Sequence, residues 1–346
     1  MFSSFRKERV LDLTEYPTGP CDPRRALQEF QASAAQPDPN MTSSLADTQQ
    51  ALAATSLESS TIAEGWISGA LDSVLIVELN SDDVLSSWSV LRGLAEQLLR
   101  FPLVSQLEDI DGLFRDEPAH PDDLAYVTYP TKVLKDYLTI DGFAALQDGE
   151  VMRGEFSPLR SAELFNGLAR VLGETQRTFG SAPDVEDVSA LIAKGVLRSN
   201  ADLELWLLNW EVEHFGDAAL DVSHLGDSDL IDFDDESQYV AVLPPTPTAW
   251  EALLFMGWYG TQHDPATKIA ALKSWNERFG AELVCGFASV LNLKVTRPPT
   301  SIQEAFALAI EHDHFASDKR TLSGLSLRDY ARTLLASDRW QLMAKP

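Results

Sequence analysis

The first strongly patterned stretch of the chain is SVLIVELN, residues 73–80, a continuous apolar run whose length is typical of a buried strand. Apolar residues then recur at helical spacing from Val84 to Leu99, which predicts a helix over 81–100 with Ser81 as its N-cap. The segment PLVS at 102–105 predicts a second strand. A strand, a helix and a strand in this order form a βαβ-like unit, so we expect the two strands to run parallel.

Helical spacing dominates the middle of the chain. Trp206, Trp210 and His214 lie four residues apart in ADLELWLLNWEVEHF, and a helix places them on one face. We interpret this face as packing in the interior rather than as a binding surface. The predicted elements of this part are a strand at 125–129 and helices at 160–174, 184–195 and 201–214.

The last third of the chain carries the clearest signals for the ends of elements. Pro265 after Asp264 is typical of a helix start, and Gly280 is typical of a helix end. Thr300 and Gln303 form a capping box for a later helix. The predicted elements are a strand at 239–244, a helix at 265–279, a hairpin of strands 281–287 and 291–297, a helix after Thr300, and a helix at 327–336 capped by Ser326.

Composition divides the chain into four parts. Residues 1–62 are rich in Ala, Ser, Gln and Pro, and we expect a flexible or loosely ordered N-terminal arm. Residues 63–225 hold the βαβ-like start and the helices, and residues 238–346 form a C-terminal α+β domain. The segment 226–237 contains GDSDLIDFDDE, which lacks the glycine and the spacing of a calcium loop, so we interpret it as an acidic linker. The expected fold class is α+β, a mixed sheet flanked by helices with a mostly helical middle segment.

The balance of charge narrows the range of partners. The chain has 53 Asp and Glu against 27 Lys and Arg, a formal net charge of −26. Such a surface repels nucleic acid and anionic membranes and favours a basic protein partner. The two cysteines, Cys21 and Cys285, fit a reducing cytoplasm. The N-terminus lacks the apolar core of a signal peptide, and no apolar run reaches about 18 residues, so we expect no membrane span.

Three segments of the C-terminal part resemble a known family. PPTPTAWEALLFMGWYGTQHDP, AALKSWNERFGAELV and VTRPPTSIQEAFALA are similar to the bacterial domain-of-unknown-function family 4253, and a weaker likeness lies near 74–105. The resemblance implies a fold and a bacterial origin, but no reaction. Asp264 and Ala316 stand where the family often has cysteines, so any metal or redox role of those cysteines is absent here. The matching positions are Trp88, Leu91, Arg92, Pro102, Trp275, Glu277, Arg278, Gly280, Ala281, Glu282, Leu283, Arg297, Pro298, Pro299, Glu304, Ala305 and Glu311.

The segment EHDHF, residues 311–315, holds the main candidates for metal chemistry. His312 and His314 are two residues apart, so both can bind one ion only if the helix has ended before them. On an extended segment they could hold zinc with two further ligands. The alternative is a polar helix end in water, with both histidines near the negative end of the helix dipole. The further candidate ligands are His263, Glu311 and Asp318.

Other catalytic templates are not recognisable in the sequence. A Gly-rich phosphate loop, a Walker pattern and a nucleophile elbow are missing, and basic patches with interleaved aromatic residues are absent. Cys285 lies in an apolar strand, where we expect an inert core thiol. We therefore predict no catalytic residue and no cofactor.

Three functions remain open on this basis. The favoured one is a non-enzymatic acidic protein that acts through protein–protein interaction, and an immunity-type partner of a basic toxin is its most specific form. The eight tryptophans suit such an interface. The second is a metal-dependent or His/Asp enzyme around His263, His312, His314 and Asp318. The third is a structural module of a larger assembly, with the N-terminal arm as its tether.

Overall fold

The structure is a computed structural model of the chain. Several sequence predictions fall outside the residues that it describes: the strand at 125–129, the helix start before Leu168, Asp264, and residues 1–42 of the arm. All of the acidic linker except Ser237 also lies outside them. The described residues are 43–67, 73–79, 83–107, 114–115, 168–222, 237–253, 265–287, 290–316 and 325–343.

The described strands form one mixed sheet, which confirms the α+β class. They are β1 (Ile62–Ile67), β2 (Val74–Glu78), β3 (Leu103–Gln106), β4 (Phe114–Arg115), β5 (Tyr239–Leu243), β6 (Ala281–Phe287), β7 (Val290–Val295) and β8 (Arg339–Met343). Their order in the sheet is β4-β1-β2-β5-β3-β6-β7-β8. β3 and β6 pair in parallel, and the other neighbouring pairs are antiparallel.

Seven of the described helices correspond to predicted ones, with shifts of a few residues at their ends, and the helices Leu45–Leu52 and Ala249–Ala252 were not predicted. A 3-10 turn, Gly216–Leu220, follows the helix that ends at Phe215. None of the described helices combines the length and apolar character that crossing a bilayer requires. The helices are α1 (Leu45–Leu52), α2 (Val84–Leu98), α3 (Leu168–Phe179), α4 (Val185–Ala193), α5 (Asn200–Phe215), the short α6 (Ala249–Ala252), α7 (Pro265–Phe279), α8 (Ile302–Phe315) and α9 (Leu327–Ala336).

Strand β5 lies between β2 and β3, although it follows β3 in the chain by more than a hundred residues. Both neighbours are antiparallel to it, so β2 and β3 run in the same direction without pairing with each other. The predicted parallel direction is therefore correct, and the expectation of a simple βαβ pair is not. Every residue of β5 is buried, so both faces of the sheet are covered at this strand. The sheet therefore contains strands from both sides of the acidic linker, which the sequence analysis placed between residues 63–225 and the C-terminal part.

An ion pair strengthens this continuity. Arg92 on α2 donates from Nε and Nη2 to the two carboxylate oxygens of Glu282 on β6, at 2.9 and 2.5 Å. These two residues belong to the separate stretches that resemble the same family. Their bidentate contact shows that the upstream stretch and the C-terminal part pack together.

The residues from 43 to 62 are part of the packed structure, which corrects the prediction of a loose arm over this stretch. Ser44 and Asp47 form a capping box at the start of α1. Ser43 donates its hydroxyl to the carbonyl of Leu98 at 2.9 Å, and Leu52 is buried in the main core. This stretch has few apolar residues, so its pattern did not indicate the packing, which includes the hydrogen bond to the distant Leu98.

Two helix caps differ by one or two residues from the prediction. Asp83 caps α2 by accepting from the amide of Ser86, and the predicted cap, Ser81, lies outside the described residues. Ser301, not Thr300, caps α8 by accepting from the amide of Glu304. Polar residues cluster at both starts, so the sequence offers neighbouring alternatives and backbone geometry selects one of them. Ser326 caps α9 as predicted.

Gly280 joins α7 to β6 in a conformation that only glycine fits. Its φ is +60°, and a Cβ there would lie 2.0 Å from the Oγ1 of Thr296. The predicted helix end is therefore confirmed. Strand β8 was not predicted, although Trp340 and Leu342 in it are fully buried against β7.

Candidate functional site

The structure places His312 and His314 inside α8, which continues to Phe315. Side chains two apart on a helix point about 200° away from each other. The extended backbone that a shared zinc ion would need is therefore not present at these two residues. Two further candidate ligands, His263 and Asp318, lie outside the described residues. Within the part of the chain that the structure describes, no three His, Cys, Asp or Glu side chains are grouped to hold a metal.

His312 is fully buried, so the alternative prediction of a solvated helix end is wrong for this residue. Its Nδ1 shares a hydrogen bond of 2.8 Å with the hydroxyl of Tyr330. The rings of Trp275 and Trp340 meet it edge-on, with centroids at 4.5 and 5.0 Å. Burial, and secondarily the charge of Arg278, hold the pKa of His312 well below its usual value. Phe315 packs against Trp275. We give the name His312 core to His312, Trp275, Phe315, Tyr330 and Trp340.

Glu311 is also buried, at the edge of the His312 core. Its carboxylate accepts from Nε1 of Trp275 at 2.7 Å and from Nη1 of Arg278 at 2.9 Å. All three residues were matched to the family by sequence. The contacts show that these three matched positions hold α7 and α8 together.

A second group of buried polar residues joins the helical middle segment to α9. Glu211 on α5 accepts from the hydroxyl of Thr175 on α3 at 2.6 Å. The same carboxylate pairs with Arg332 and lies 3.3 Å from Nε of Arg328. Arg328 also donates to Glu204 at 2.6 Å. We call these five residues the ion network.

The charges of the ion network are buried away from solvent and compensate one another. Burial alone would lower the pKa of Arg328, but the carboxylates of Glu204, Glu211 and Asp329 outweigh it and hold that pKa above its usual value. Burial raises the pKa of Glu204, and Arg328 opposes this rise. Arg332 further donates to the carbonyl of Ala219 at 2.6 Å. The network therefore fixes α3, α5 and the 3-10 turn against α9.

The stripe of Trp206, Trp210 and His214 divides between interior and surface. Trp206 packs against the small apolar core of α3, α4 and α5, as predicted. Trp210 instead stacks on the exposed ring of His214, with centroids at 4.0 Å. The prediction of interior packing is therefore wrong for the outer two residues of the stripe.

A partly exposed aromatic cluster lies where α3 and α5 end. Phe179 stacks on Phe215 at 4.9 Å, and the ring of Trp210 meets Phe215 edge-on at 5.7 Å. The guanidinium of Arg332 lies 5.6 Å from the centroid of Phe179, so the ion network supports the cluster from beneath. We call Phe179, Trp210, His214 and Phe215 the aromatic surface cluster.

The segment that carries this cluster is acidic. Residues 168–222 contain ten Asp and Glu against four Lys and Arg. Glu213 and Asp217, which flank the cluster in sequence, are both exposed. Exposed carboxylates beside partly exposed aromatic rings can attract and then pack against a positively charged protein surface.

Comparison with known proteins identifies only the C-terminal part of the chain. Residues 240–343 match a family described as a domain of unknown function (DUF4253). This confirms the resemblance seen in the sequence, and the matched stretch runs from β5 to β8. No curated protein and no solved structure matches the chain significantly. The ion network and the aromatic surface cluster draw on α3 and α5, which lie before the matched residues.

Proposed function

We propose that the protein acts without catalysis by binding a basic protein partner through the aromatic surface cluster and the carboxylates beside it. The observation that carries the proposal is a set of partly exposed aromatic rings on an acidic, structurally fixed helical segment. In its most specific form the role is that of an immunity-type protein, which neutralises a basic toxin by covering its active surface.

The chemistry of the cluster suits such an interface. Tryptophan is prominent among residues that dominate binding energy, because it buries a large area with few rotatable bonds. The net charge of −26 steers a basic partner toward the chain and raises the association rate at low salt. Glu213 and Asp217 then place negative charge at the point of contact.

The ion network makes this surface ready for binding. Arg332 holds Glu211 on α5 and approaches the ring of Phe179 on α3. The two helices that present the aromatic rings are therefore held together before any partner arrives. A preformed surface loses less conformational freedom on association, which strengthens binding.

The expected setting is the cytoplasm of a bacterium. The bacterial source is what the resemblance of the C-terminal sequence to family 4253 implies. Cys285 is buried and reduced, with its Sγ accepting from Nδ2 of Asn292 at 3.0 Å, which is compatible with a reducing compartment.

The test is a pull-down of the tagged full-length protein from a lysate of its source organism, at low and high salt, read by mass spectrometry. We expect a basic protein in stoichiometric amount that high salt releases. Trp210→Ala should reduce its recovery at least tenfold. The double charge reversal Glu213→Lys with Asp217→Lys should do the same.

A matched control separates local contact from total charge. Glu186→Lys with Asp187→Lys on α4 changes the net charge by the same amount at exposed positions outside the cluster. We expect it to slow association and leave most of the recovery intact. The proposal fails if no basic partner is recovered, or if the α4 reversal and the reversal beside the cluster have equal effects.

A further inference from the structure

A small cleft of about 220 Å³ lies between the first turns of α2 and the strands β7 and β8. Its volume is below the range of about 300–1,000 Å³ that is typical of sites for drug-sized ligands, so it suits a ligand of a few heavy atoms. We call it the α2 cleft. Its described lining residues are Leu85, Ser86 and Ser89 on α2, Lys294 on β7, and Asp338 and Arg339 where β8 begins.

One wall of the α2 cleft carries two like charges in register. Lys294 on β7 lies directly opposite Arg339 on β8. Opposed side chains of an antiparallel pair have Cβ atoms about 5 Å apart, so two cations at these positions repel each other. The chain as a whole has a net charge of −26, so this pair of cations stands out from its composition. An anion that contacts both side chains would replace the repulsion by attraction.

The nearest cross-strand carboxylate does not neutralise Lys294. Across its other edge, Lys294 lies opposite Glu282 on β6. Arg92 on α2 already donates to both carboxylate oxygens of Glu282. The exposed ammonium of Lys294 forms no ion pair or hydrogen bond with any residue that the structure describes. It is therefore available to an anionic ligand.

Arg339 also keeps most of its donors for a ligand. Among the described residues its side chain pairs with Asp338 alone, at 3.8 Å from Nε, which is too long for a hydrogen bond. The side chain of Asp338 is 67% exposed, so water screens its charge. The two Nη groups of Arg339 remain able to donate side by side to an oxyanion, the geometry in which arginine binds phosphate.

Helix α2 adds a neutral donor and a favourable dipole. Ser86 lies in its first turn, and its exposed hydroxyl makes no hydrogen bond with another described residue. Asp83 accepts from the amide of Ser86, so the hydroxyl rather than the amide is the group that α2 presents here. The partial positive charge at the start of a helix favours an anion near its first turn.

We propose that the α2 cleft binds a phosphate group, either as inorganic phosphate or as the phosphate of a small monoester. The phosphate oxygens accept from Nη1 and Nη2 of Arg339 and from the hydroxyl of Ser86, and they form an ion pair with Lys294. The cleft shares no residue with the aromatic surface cluster, so phosphate binding and the binding of a protein partner are independent properties.

The experiment titrates the full-length protein with inorganic phosphate and, separately, with glycerol 3-phosphate, at constant ionic strength. Amide chemical-shift changes give the affinity and the location of each probe. We expect saturable binding with a Kd of about 1 mM, because both cations are partly exposed and screened. The shifted amides should be those of the start of α2, β7 and β8. Tighter binding of the monoester would assign the site to an organic phosphate, and tighter binding of phosphate would assign it to the free ion.

Charge substitutions test the contacts. Lys294→Gln and Arg339→Gln should each weaken phosphate binding about fivefold, whereas Lys294→Arg keeps the charge and should retain binding. Asp338→Asn removes the only carboxylate among the described lining residues and should strengthen binding about threefold. Lys194→Gln, at an exposed position on α4 that does not line the cleft, should leave the affinity unchanged. The four positions are at least partly exposed, so we expect each variant to fold.

Three results would overturn the proposal. The first is no saturation by either probe at roughly 20 mM, about twenty times the expected Kd. The second is an equal loss of affinity in Lys294→Gln and Lys194→Gln, which would indicate general attraction of an anion to surface cations. The third is a set of saturating amide shifts that lies outside α2, β7 and β8.

Discussion

The ion network and the His312 core bury polar groups in opposite ways. In the network Glu211, Arg328 and Arg332 are buried as charges, and each has several partners. In the His312 core the groups are neutral. Nε2 of His312 and Nε1 of Trp340 lack hydrogen-bond partners among the described residues.

The difference shows which interaction stabilises each region. Buried charges are stable only while they compensate one another, because a single unpaired charge has a large desolvation penalty. The His312 core depends on the packing of large rings, and its polar atoms contribute little. The two regions should therefore respond differently to loss of one group, to pH and to small changes in hydrogen bonding.

The largest expected effect is in the ion network. Glu211→Gln leaves Arg332 and Arg328 buried without their shared carboxylate, and we expect a loss of about 3–5 kcal/mol in the free energy of unfolding. Urea denaturation measures it. As the control, Glu174→Gln removes a partly exposed carboxylate 3.8 Å from Arg328 and should lower the stability by less than about 1 kcal/mol. Equal losses in the two variants would show that the buried charges are not compensating.

The dependence of unfolding stability on pH should distinguish the His312 core from the ion network. The folded pKa of His312 lies well below its usual value of 6.5, so below this pH the unfolded chain binds a proton that the folded chain excludes. Stability therefore falls as pH falls, by about 1.4 kcal/mol per pH unit until the folded pKa is reached. Urea denaturation at pH 7.5 and 5.5 should show about this much more loss in the wild type than in His312→Gln. Parallel losses in the two proteins would contradict a neutral buried imidazole.

A smaller effect is expected when the hydroxyl beside His312 is removed. Tyr330→Phe deletes its hydrogen bond to Nδ1 but keeps the ring that packs at 5.9 Å from the imidazole. We expect thermal unfolding to report a loss of about 0.5–1.5 kcal/mol. A loss as large as that of Glu211→Gln would mean that hydrogen bonding, not ring packing, dominates this core.

The smallest effect is expected at the ion pair between α2 and β6. Arg92 and Glu282 are both partly exposed, so solvent screens their attraction. Glu282→Gln should lower the free energy of unfolding by no more than about 1 kcal/mol. The loss should shrink in 1 M salt, whereas that of Glu211→Gln should not. A salt-independent loss here would indicate a buried pair.

The sequence predicted elements where local pattern determines them. The apolar run before Glu78, the end of α7 at Gly280 and the cap of α9 at Ser326 all depend on neighbouring residues, and all are present. β8 was missed because RWQLM is short and lacks β-branched residues, so only its burial against β7 marks it as a strand.

The sites depend on pairs far apart in the chain, and the sequence alone did not predict them. Glu211 and Arg332 are separated by 121 positions and resemble ordinary solvent-exposed helix residues when seen singly. His312 was noticed for its spacing from His314, whereas its burial arises from Trp275 and Trp340. A signal that could have helped is the short interval between Arg328 and Arg332, which places two guanidiniums on one helix face.

The position of β5 also determines how long the sheet stays incomplete during synthesis. β3 ends at Gln106 and β5 begins at Tyr239. At about 5–20 residues per second, the ribosome needs roughly 7 to 27 seconds to make the chain between them. During that interval neither β2 nor β3 can pair with β5. Each of these two apolar strands therefore has an unpaired edge until the later segment is made. A nascent chain of this protein therefore has a period of exposure to chaperones and to aggregation that ends only when β5 emerges.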